Sequence, residues 1–168
     1  MTAARYRRVH DWFTARPAAL RALRAADRLT TAFVYVAYGL LLAALLWQSR
    51  VYGFGALLRA VLIPAAVFVA GSLLRSRLDR PRPVAVHGIP PLLKKEKRGE
   101  SFPSRHVMAA SVITTAFFHS LPMAGTALLL VTLCIMVIRV LGGVHFVKDV
   151  GAGFAFGLVL GEVLYALL

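Results

Sequence analysis

Three polar side chains stand together where an apolar run begins, in the stretch SFPSRHVMAA at residues 101–110. Ser104 follows Pro103 and is a residue type favoured at helix N-caps. The free N–H groups at a helix start attract anions, and the Ser104 hydroxyl and the Arg105 guanidinium add donors there. His106 is expected close to the same anion. The stretch therefore predicts an anion-binding site at the start of a helix.

A second group with chemical potential lies in RVLGGVHFVKDV, residues 139–150. His145 and Asp149 are four residues apart, so on a helix they would share one face. A carboxylate bonded to one ring nitrogen fixes the tautomer and leaves the other nitrogen to act as a nucleophile or base. Arg139 adds a guanidinium at the end of the preceding apolar run.

The third group is RSRLDRPRP, residues 75–83, which contains Arg75 and Arg82. These two arginines are two helical turns apart and would share a face if one helix carried both. Pro81 and Pro83 favour a helix that ends before Arg82. Taken singly, an arginine at a helix end beside a bilayer is usually only an interfacial anchor. A functional role for Arg75 and Arg82 therefore requires that they lie together with the other two groups.

The elements that must position these groups are apolar helices. The chain has 168 residues, of which 59% are hydrophobic and 16% charged, with a mean hydropathy of +0.72. This composition predicts an all-α fold, a polytopic membrane helix bundle, rather than a soluble domain. About five segments are candidate transmembrane helices, the third being the shortest and most marginal: residues 31–47, 54–74, 107–121, 123–138 and 150–168.

The formal net charge of +13 is concentrated in two patches, residues 1–28 and 75–105. We expect residues 1–28 to form a basic amphipathic segment at the membrane interface, with a disordered basic tail as the alternative. Residues 29–168 would form the membrane-embedded domain. Anionic lipid headgroups or phosphate-bearing substrates are the expected partners, not nucleic acid. Four loop cations either recruit headgroups or are simply solvated: Lys94, Lys95, Lys97 and Arg98.

If the five helices alternate in direction, all three groups meet on one face of the bundle. That face would carry several guanidiniums, a helix N-terminus, two imidazoles and one carboxylate, a set suited to a phosphoryl group in transfer. The predicted site consists of Arg75, Arg82, Ser104, Arg105, His106, Arg139, His145 and Asp149.

In order and spacing, the three groups resemble the signature motifs of the type-2 phosphatidic acid phosphatase family, which shares its core with the vanadium haloperoxidases. The family pattern is Lys-x6-Arg-Pro, then Pro-Ser-Gly-His, then Ser-Arg-x5-His-x3-Asp. This chain has Arg75-x6-Arg82-Pro83, then Pro103-Ser104-Arg105-His106, then Ile138-Arg139-x5-His145-x3-Asp149. The resemblance spans about residues 30–168, and it departs from the pattern at three positions, where Arg75 replaces Lys, Arg105 replaces Gly and Ile138 replaces Ser.

The resemblance implies an integral membrane lipid phosphate phosphatase of the cell membrane that needs no metal and no other cofactor. His145 would attack phosphorus and form a phosphohistidine, while Asp149 holds its ring. His106 would protonate the leaving group and then activate water. The phosphoryl oxygens would be bound by Arg75, Arg82, Ser104, Arg105 and Arg139.

Two questions stay open at the level of sequence. The substrate is an isoprenoid lipid phosphate or diphosphate, phosphatidic acid, or phosphatidylglycerol phosphate. From a different functional class, the chain is a catalytically silent lipid-phosphate-binding or scaffold protein. The intact His106, His145 and Asp149 argue against the silent alternative.

Overall fold

Every regular element that the structure describes is a helix. The structure is a computed structural model that describes residues 2–93 and 99–168, so Lys94, Lys95, Lys97 and Arg98 lie outside the described residues. The described helices are α1 Ala3–Thr14, α2 Pro17–Tyr52, α3 Gly55–Leu78, α4 Pro83–His87, α5 Arg105–Ser120, α6 Pro122–Leu141 and α7 Val147–Leu167. The predicted all-α class is confirmed.

Among the described residues, four helical runs are long and apolar enough to cross a bilayer. They are α2, the run Gly55–His87 that contains α3 and α4, α6 and α7. Large apolar side chains are exposed on all four, for example Leu40, Leu62, Leu130 and Val159. Helices satisfy their own backbone hydrogen bonds, so such surfaces are stable against lipid. The chain is therefore a multi-pass membrane protein.

The predicted third span is α5, which occupies the centre of the bundle. It has 16 residues, a length of about 24 Å at 1.5 Å per residue. All side chains from Val107 to Phe117 are buried, and the helix contacts α2, α3, α6 and α7. Between Val107 and Phe117 this helix has no charged residue. Its buried hydroxyls at Ser111, Thr114 and Thr115 bond carbonyls of the same helix, so every side of it can be buried. Helix α5 is thus enclosed by the four longer helical runs.

Two expectations about chain turns agree with the structure. Helix α5 ends at Ser120 and α6 begins at Pro122, which gives the short connection expected of an antiparallel hairpin. Proline is well suited to the first position of a helix, because an N–H group at that position would have no acceptor within the helix. Helix α3 ends at Leu78, so Arg75 lies within it and Arg82 lies beyond it.

The boundary expected between residues 28 and 29 falls inside the continuous helix α2. The basic segment is therefore divided between α1 and the first turns of α2. Part of this segment packs against the protein itself, since Tyr6 and Leu23 are buried and Arg24 Nε donates to Leu92 O at 2.9 Å.

Helix α7 lies close to α5 along a row of glycines, Gly153, Gly157 and Gly161. A Cβ atom at Gly153 would lie 2.7 Å from Ser104 O, and one at Gly157 would lie 2.6 Å from Met108 O. Glycine at these positions allows the two backbones to approach closely, as is common between membrane helices. This contact places the start of α7 beside the start of α5.

We expect Gly157→Ala to lower the free energy of unfolding by about 1–3 kcal/mol, because the new methyl group meets a backbone carbonyl that cannot rotate away. Gly151→Ala is the matched control in the same helix, since a Cβ atom there has nothing within 4 Å. Thermal unfolding in detergent measures both variants. Equal midpoints for Gly157→Ala and Gly151→Ala would contradict the close α5–α7 packing.

Candidate active site

Hydrogen bonds join the three predicted groups at one end of the bundle. Arg75 Nη1 donates to Pro103 O at 3.0 Å, which ties α3 to the segment before α5. Ser104 N donates to Asp149 O at 2.9 Å, which ties the start of α5 to the first turn of α7. Arg82 Nη1 donates to Val144 O at 2.9 Å, beside His145. Groups far apart in sequence are thus brought together by direct contacts.

His145 and Asp149 form the buried centre of this arrangement. His145 lies in the turn before α7, and Asp149 lies in the first turn of α7, so the two do not share one helix face. His145 Nδ1 is 3.8 Å from Asp149 Oδ2, and Ser101 lies between them. Ser101 Oγ donates to Asp149 Oδ2 at 2.5 Å and is 3.4 Å from His145 Nδ1.

Three buried polar atoms of this cluster have no hydrogen-bond partner among the described residues. They are Arg75 Nε, Ser104 Oγ and Asp149 Oδ1. Buried polar atoms are nearly always bonded, so an orphaned set at one place is typical of a site that binds a polar ligand. Ser104 Oγ and Arg75 Nε are donors, which suits an anion, and Arg75 Nε also forms an ion pair with Glu100 Oε2 at 3.6 Å.

Arg82 is the most deeply buried of the site arginines, with 1% of its surface exposed. Its guanidinium donates to three main-chain carbonyls: Gly99 O at 2.9 Å, Val144 O at 2.9 Å and Glu100 O at 3.3 Å. These bonds use three of the five guanidinium N–H groups. Arg82 thus joins the segment before α5 to the segment before α7.

Arg139 forms an ion pair with a residue of α2, a helix that lies outside the three sequence motifs. Its Nε atom is 3.2 Å from Asp27 Oδ1, and Asp27 lies in α2. Both side chains are largely buried, so the ion pair is shielded from water. Nearby, Gly143 has a φ of 70°, and a Cβ atom there would overlap the Tyr6 hydroxyl. The N-terminal helices therefore contact the segment that carries Arg139 and His145.

Arg105 and His106 lie on the side of α5 that faces α2 and α3. The Arg105 guanidinium is exposed and its Cζ atom is 5.5 Å from the ring centroid of Phe68. His106 lines a small cavity together with Thr31, Tyr35 and Ile135. Both residues lie at the N-terminus of α5, directly after Ser104.

Beside Phe68, which Arg105 contacts, an apolar cavity of about 420 Å³ opens between α2, α3 and α5. Its lining includes Tyr35 and Tyr38 of α2, Phe68 of α3 and Val112 of α5. Phe68 belongs both to the cavity and to the Arg105 contact, and Tyr35 belongs both to this cavity and to the one beside His106. The apolar cavity therefore begins at the charged end of α5.

The electrostatics of the site favour a neutral imidazole at His145. Burial, which penalises the imidazolium, lowers the pKa of His145 to about 4, although the Asp149 carboxylate opposes the shift. The positive charges of Arg82 and Arg75 lower this pKa further. His145 consequently keeps an unprotonated ring nitrogen throughout the neutral range.

We therefore expect the ring of His145 to stay uncharged well below the usual histidine pKa of about 6.5. At pH 5.5, roughly 3% of a group with a pKa of about 4 is protonated, against roughly 90% of an ordinary histidine. Nitrogen NMR of histidine-labelled protein measures this, with the His145 signal assigned by its loss in His145→Gln. A titration midpoint near 6.5 would contradict the burial argument.

Sequence reasoning missed three contributors to the cluster: Ser101, Asp27 and Glu100, whose Oε2 atom lies 3.6 Å from Arg75 Nε. Ser101 stands three residues before Ser104 in the stretch first singled out, yet no periodicity or spacing marked its hydroxyl. Asp27 is an acidic residue within a basic segment, and its partner is more than one hundred residues away. One of two carboxylates in a segment rich in arginine was the only available signal for it.

Comparison with known proteins gives four findings. Residues 55–168 match the family described as the PAP2 superfamily. LpxE from Aquifex aeolicus is similar in structure, with a TM-score of 0.64 and 25% sequence identity, over 88% of this chain and 92% of that chain. The first transmembrane PAP2 type phosphatidylglycerolphosphate phosphatase from Bacillus subtilis is also similar, with a TM-score of 0.64 and 25% identity, over 90% of this chain and 77% of that chain. No curated protein matches the chain at a significant level.

Proposed function

The chain belongs to the PAP2 superfamily, and from this membership and the geometry of the site we propose that it is a lipid phosphatase of the cell membrane. It hydrolyses a phosphate monoester or a diphosphate carried by a lipid, through a phosphohistidine intermediate. The main support is the convergence of a buried imidazole, several guanidiniums and a helix N-terminus at one end of a membrane bundle.

In the first step, a ring nitrogen of His145 attacks phosphorus. The bond from phosphorus to the leaving oxygen breaks, and that oxygen takes a proton from His106. The Asp149 carboxylate stabilises the positive charge that develops on the His145 ring. In the second step, His106 removes a proton from water, the water oxygen bonds phosphorus, and the phosphorus–nitrogen bond breaks to release phosphate and neutral His145.

The phosphoryl oxygens are bound by donors that the fold already orients. Ser104 Oγ is buried and has no hydrogen-bond partner among the described residues, so it is the first candidate. Arg75 Nε, whose ion pair with Glu100 Oε2 is 3.6 Å long, is the second. The guanidiniums of Arg82, Arg105 and Arg139 complete the set. Together the guanidiniums provide the positive charge that metal ions provide in other phosphoryl-transfer enzymes, so the proposed reaction needs no metal.

The apolar cavity between α2, α3 and α5 suits the hydrocarbon chain of such a substrate. Burial of apolar surface contributes about 25 cal/mol per Å², so a chain in this cavity would add to binding without any polar contact. The Bacillus subtilis neighbour is a phosphatidylglycerolphosphate phosphatase. Phosphatidylglycerol phosphate is therefore one candidate substrate, together with phosphatidic acid and the isoprenoid phosphates and diphosphates.

The proposal is tested by phosphate release from purified protein in detergent with EDTA present. The panel contains phosphatidic acid, phosphatidylglycerol phosphate, an isoprenoid phosphate and an isoprenoid diphosphate. We expect turnover of at least one of these lipids, and the preferred lipid identifies the substrate class. Lipid binding without turnover of any member would instead support the silent binding protein.

A further inference from the structure

The hydroxyl of Ser101 occupies the gap between the His145 ring and the Asp149 carboxylate. Ser101 has no exposed surface. The separation of 3.8 Å between His145 Nδ1 and Asp149 Oδ2 is too long for a hydrogen bond. Ser101 Oγ is 2.5 Å from Asp149 Oδ2 and 3.4 Å from His145 Nδ1. The shortest polar path from the ring to the carboxylate therefore runs through Ser101.

The direction of these two bonds follows from the number of protons available. Asp149 Oδ2 already accepts the Phe146 N–H at 2.9 Å, so this oxygen acts as an acceptor. A serine hydroxyl has a single proton, and an ionised carboxylate can only accept. Ser101 therefore donates its proton to Asp149 and presents lone pairs to the His145 ring. Only a protonated Nδ1 can bond to those lone pairs.

The backbone on both sides holds the hydroxyl in this place. Ser101 N donates to Arg80 O at 2.8 Å, and Ser104 N donates to Asp149 O at 2.9 Å. The Arg82 guanidinium bonds Gly99 O and Glu100 O, directly before Ser101. The hydroxyl is thus fixed by contacts to α7 and to the segment after α3.

We propose that Ser101 is a positioning residue for the His145 nucleophile. Its hydroxyl accepts a hydrogen bond from the Nδ1–H of His145 and donates one to Asp149. Nε2 is then the unprotonated nitrogen that faces phosphorus. Its effect on turnover rests on the proposed function, whereas its effect on the tautomer of His145 does not. Asp149 acts on the ring through this hydroxyl.

Kinetics of Ser101→Ala test the catalytic consequence. We expect kcat to fall by about 10- to 100-fold, the range typical when a partner that orients a metal-bound histidine is removed. KM should change by less than about twofold, because the phosphate-binding donors remain. Ser101→Thr keeps a hydroxyl and should exceed Ser101→Ala in kcat. A wild-type kcat for Ser101→Ala would overturn the proposal.

The matched control is Ser111→Ala. Ser111 is as deeply buried as Ser101, and its hydroxyl donates to Val107 O of its own helix at 2.8 Å. We expect kcat of Ser111→Ala to stay within about twofold of the wild type. A loss equal to that of Ser101→Ala would attribute the effect to removal of any buried hydroxyl and would overturn a specific role for Ser101.

The tautomer is measured directly by nitrogen NMR of the wild-type protein at neutral pH, so this test does not require any variant to fold. We expect one form, with Nδ1 protonated and Nε2 unprotonated, and a mixture of forms in Ser101→Ala. A wild-type ring protonated at Nε2 overturns the Ser101 proposal even if lipid is hydrolysed. Conversely, the expected tautomer in a protein that hydrolyses no lipid would refute the proposed function alone.

Discussion

His145→Ala is expected to lower kcat for phosphate release by on the order of 10⁴-fold or more. The ring of His145 is buried, is neutral over the neutral pH range and is joined to Asp149 through Ser101. Alanine has no atom that can bond phosphorus, so the covalent path is lost. Phosphate release in EDTA, on the preferred lipid of the panel, measures the effect.

His119→Ala is the control for this experiment. His119 lies in the last turn of α5, at the opposite end of that helix from Ser104, and pairs with Glu162 at 3.0 Å. Its replacement should leave kcat within about twofold of the wild type. If His145→Ala kept a tenth of wild-type turnover with an unchanged thermal midpoint, a phosphohistidine intermediate at this residue would be refuted.

Arg82→Met is expected to damage both stability and turnover. The substitution leaves three main-chain carbonyls without their donor, at Gly99, Glu100 and Val144. An unsatisfied buried acceptor costs about 1–3 kcal/mol, so we expect the free energy of unfolding to fall by about 3 kcal/mol or more. We expect kcat to fall by about 10²-fold or more, because a phosphate donor is removed as well.

Arg82→Lys distinguishes charge from geometry. An ammonium group keeps the charge but cannot reproduce the planar fork that reaches three carbonyls, so this variant should remain impaired in thermal midpoint and in kcat. Arg77→Met, at an exposed position near the end of α3, is the matched control and should resemble the wild type. Wild-type stability and turnover in Arg82→Lys would show that the carbonyl contacts are dispensable.

The parts of the fold that the sequence predicted are those set by local patterns. The apolar runs predicted a helical membrane bundle, and the prolines at 81 and 83 predicted that α3 would stop before Arg82. The central position of α5 was not predictable in the same way. A helix whose middle turns carry no charged residue is compatible both with a lipid-facing span and with the middle of a bundle, and only the packing of its neighbours distinguishes the two.

In the candidate site, too, some residues were predictable from local patterns and others were not. Spacing within each group identified His145, Asp149, Arg75 and Arg82, because those residues are near one another along the chain. Ser101 became apparent only when the distance between the His145 ring and the Asp149 carboxylate was known. Such bridging groups depend on the relative placement of separate segments, and no local pattern records that placement.

The ion pair between Asp27 and Arg139 has a consequence for how this protein can vary. Asp27 lies outside the region that matches the PAP2 superfamily, yet it supplies the counter-ion of an arginine inside that region. The same holds for Tyr6, whose hydroxyl occupies the space that a side chain at Gly143 would need. The first two helices and the His145 segment are therefore expected to behave as one epistatic unit. An exchange of N-terminal halves between homologues would be tolerated only where both pairs are inherited together.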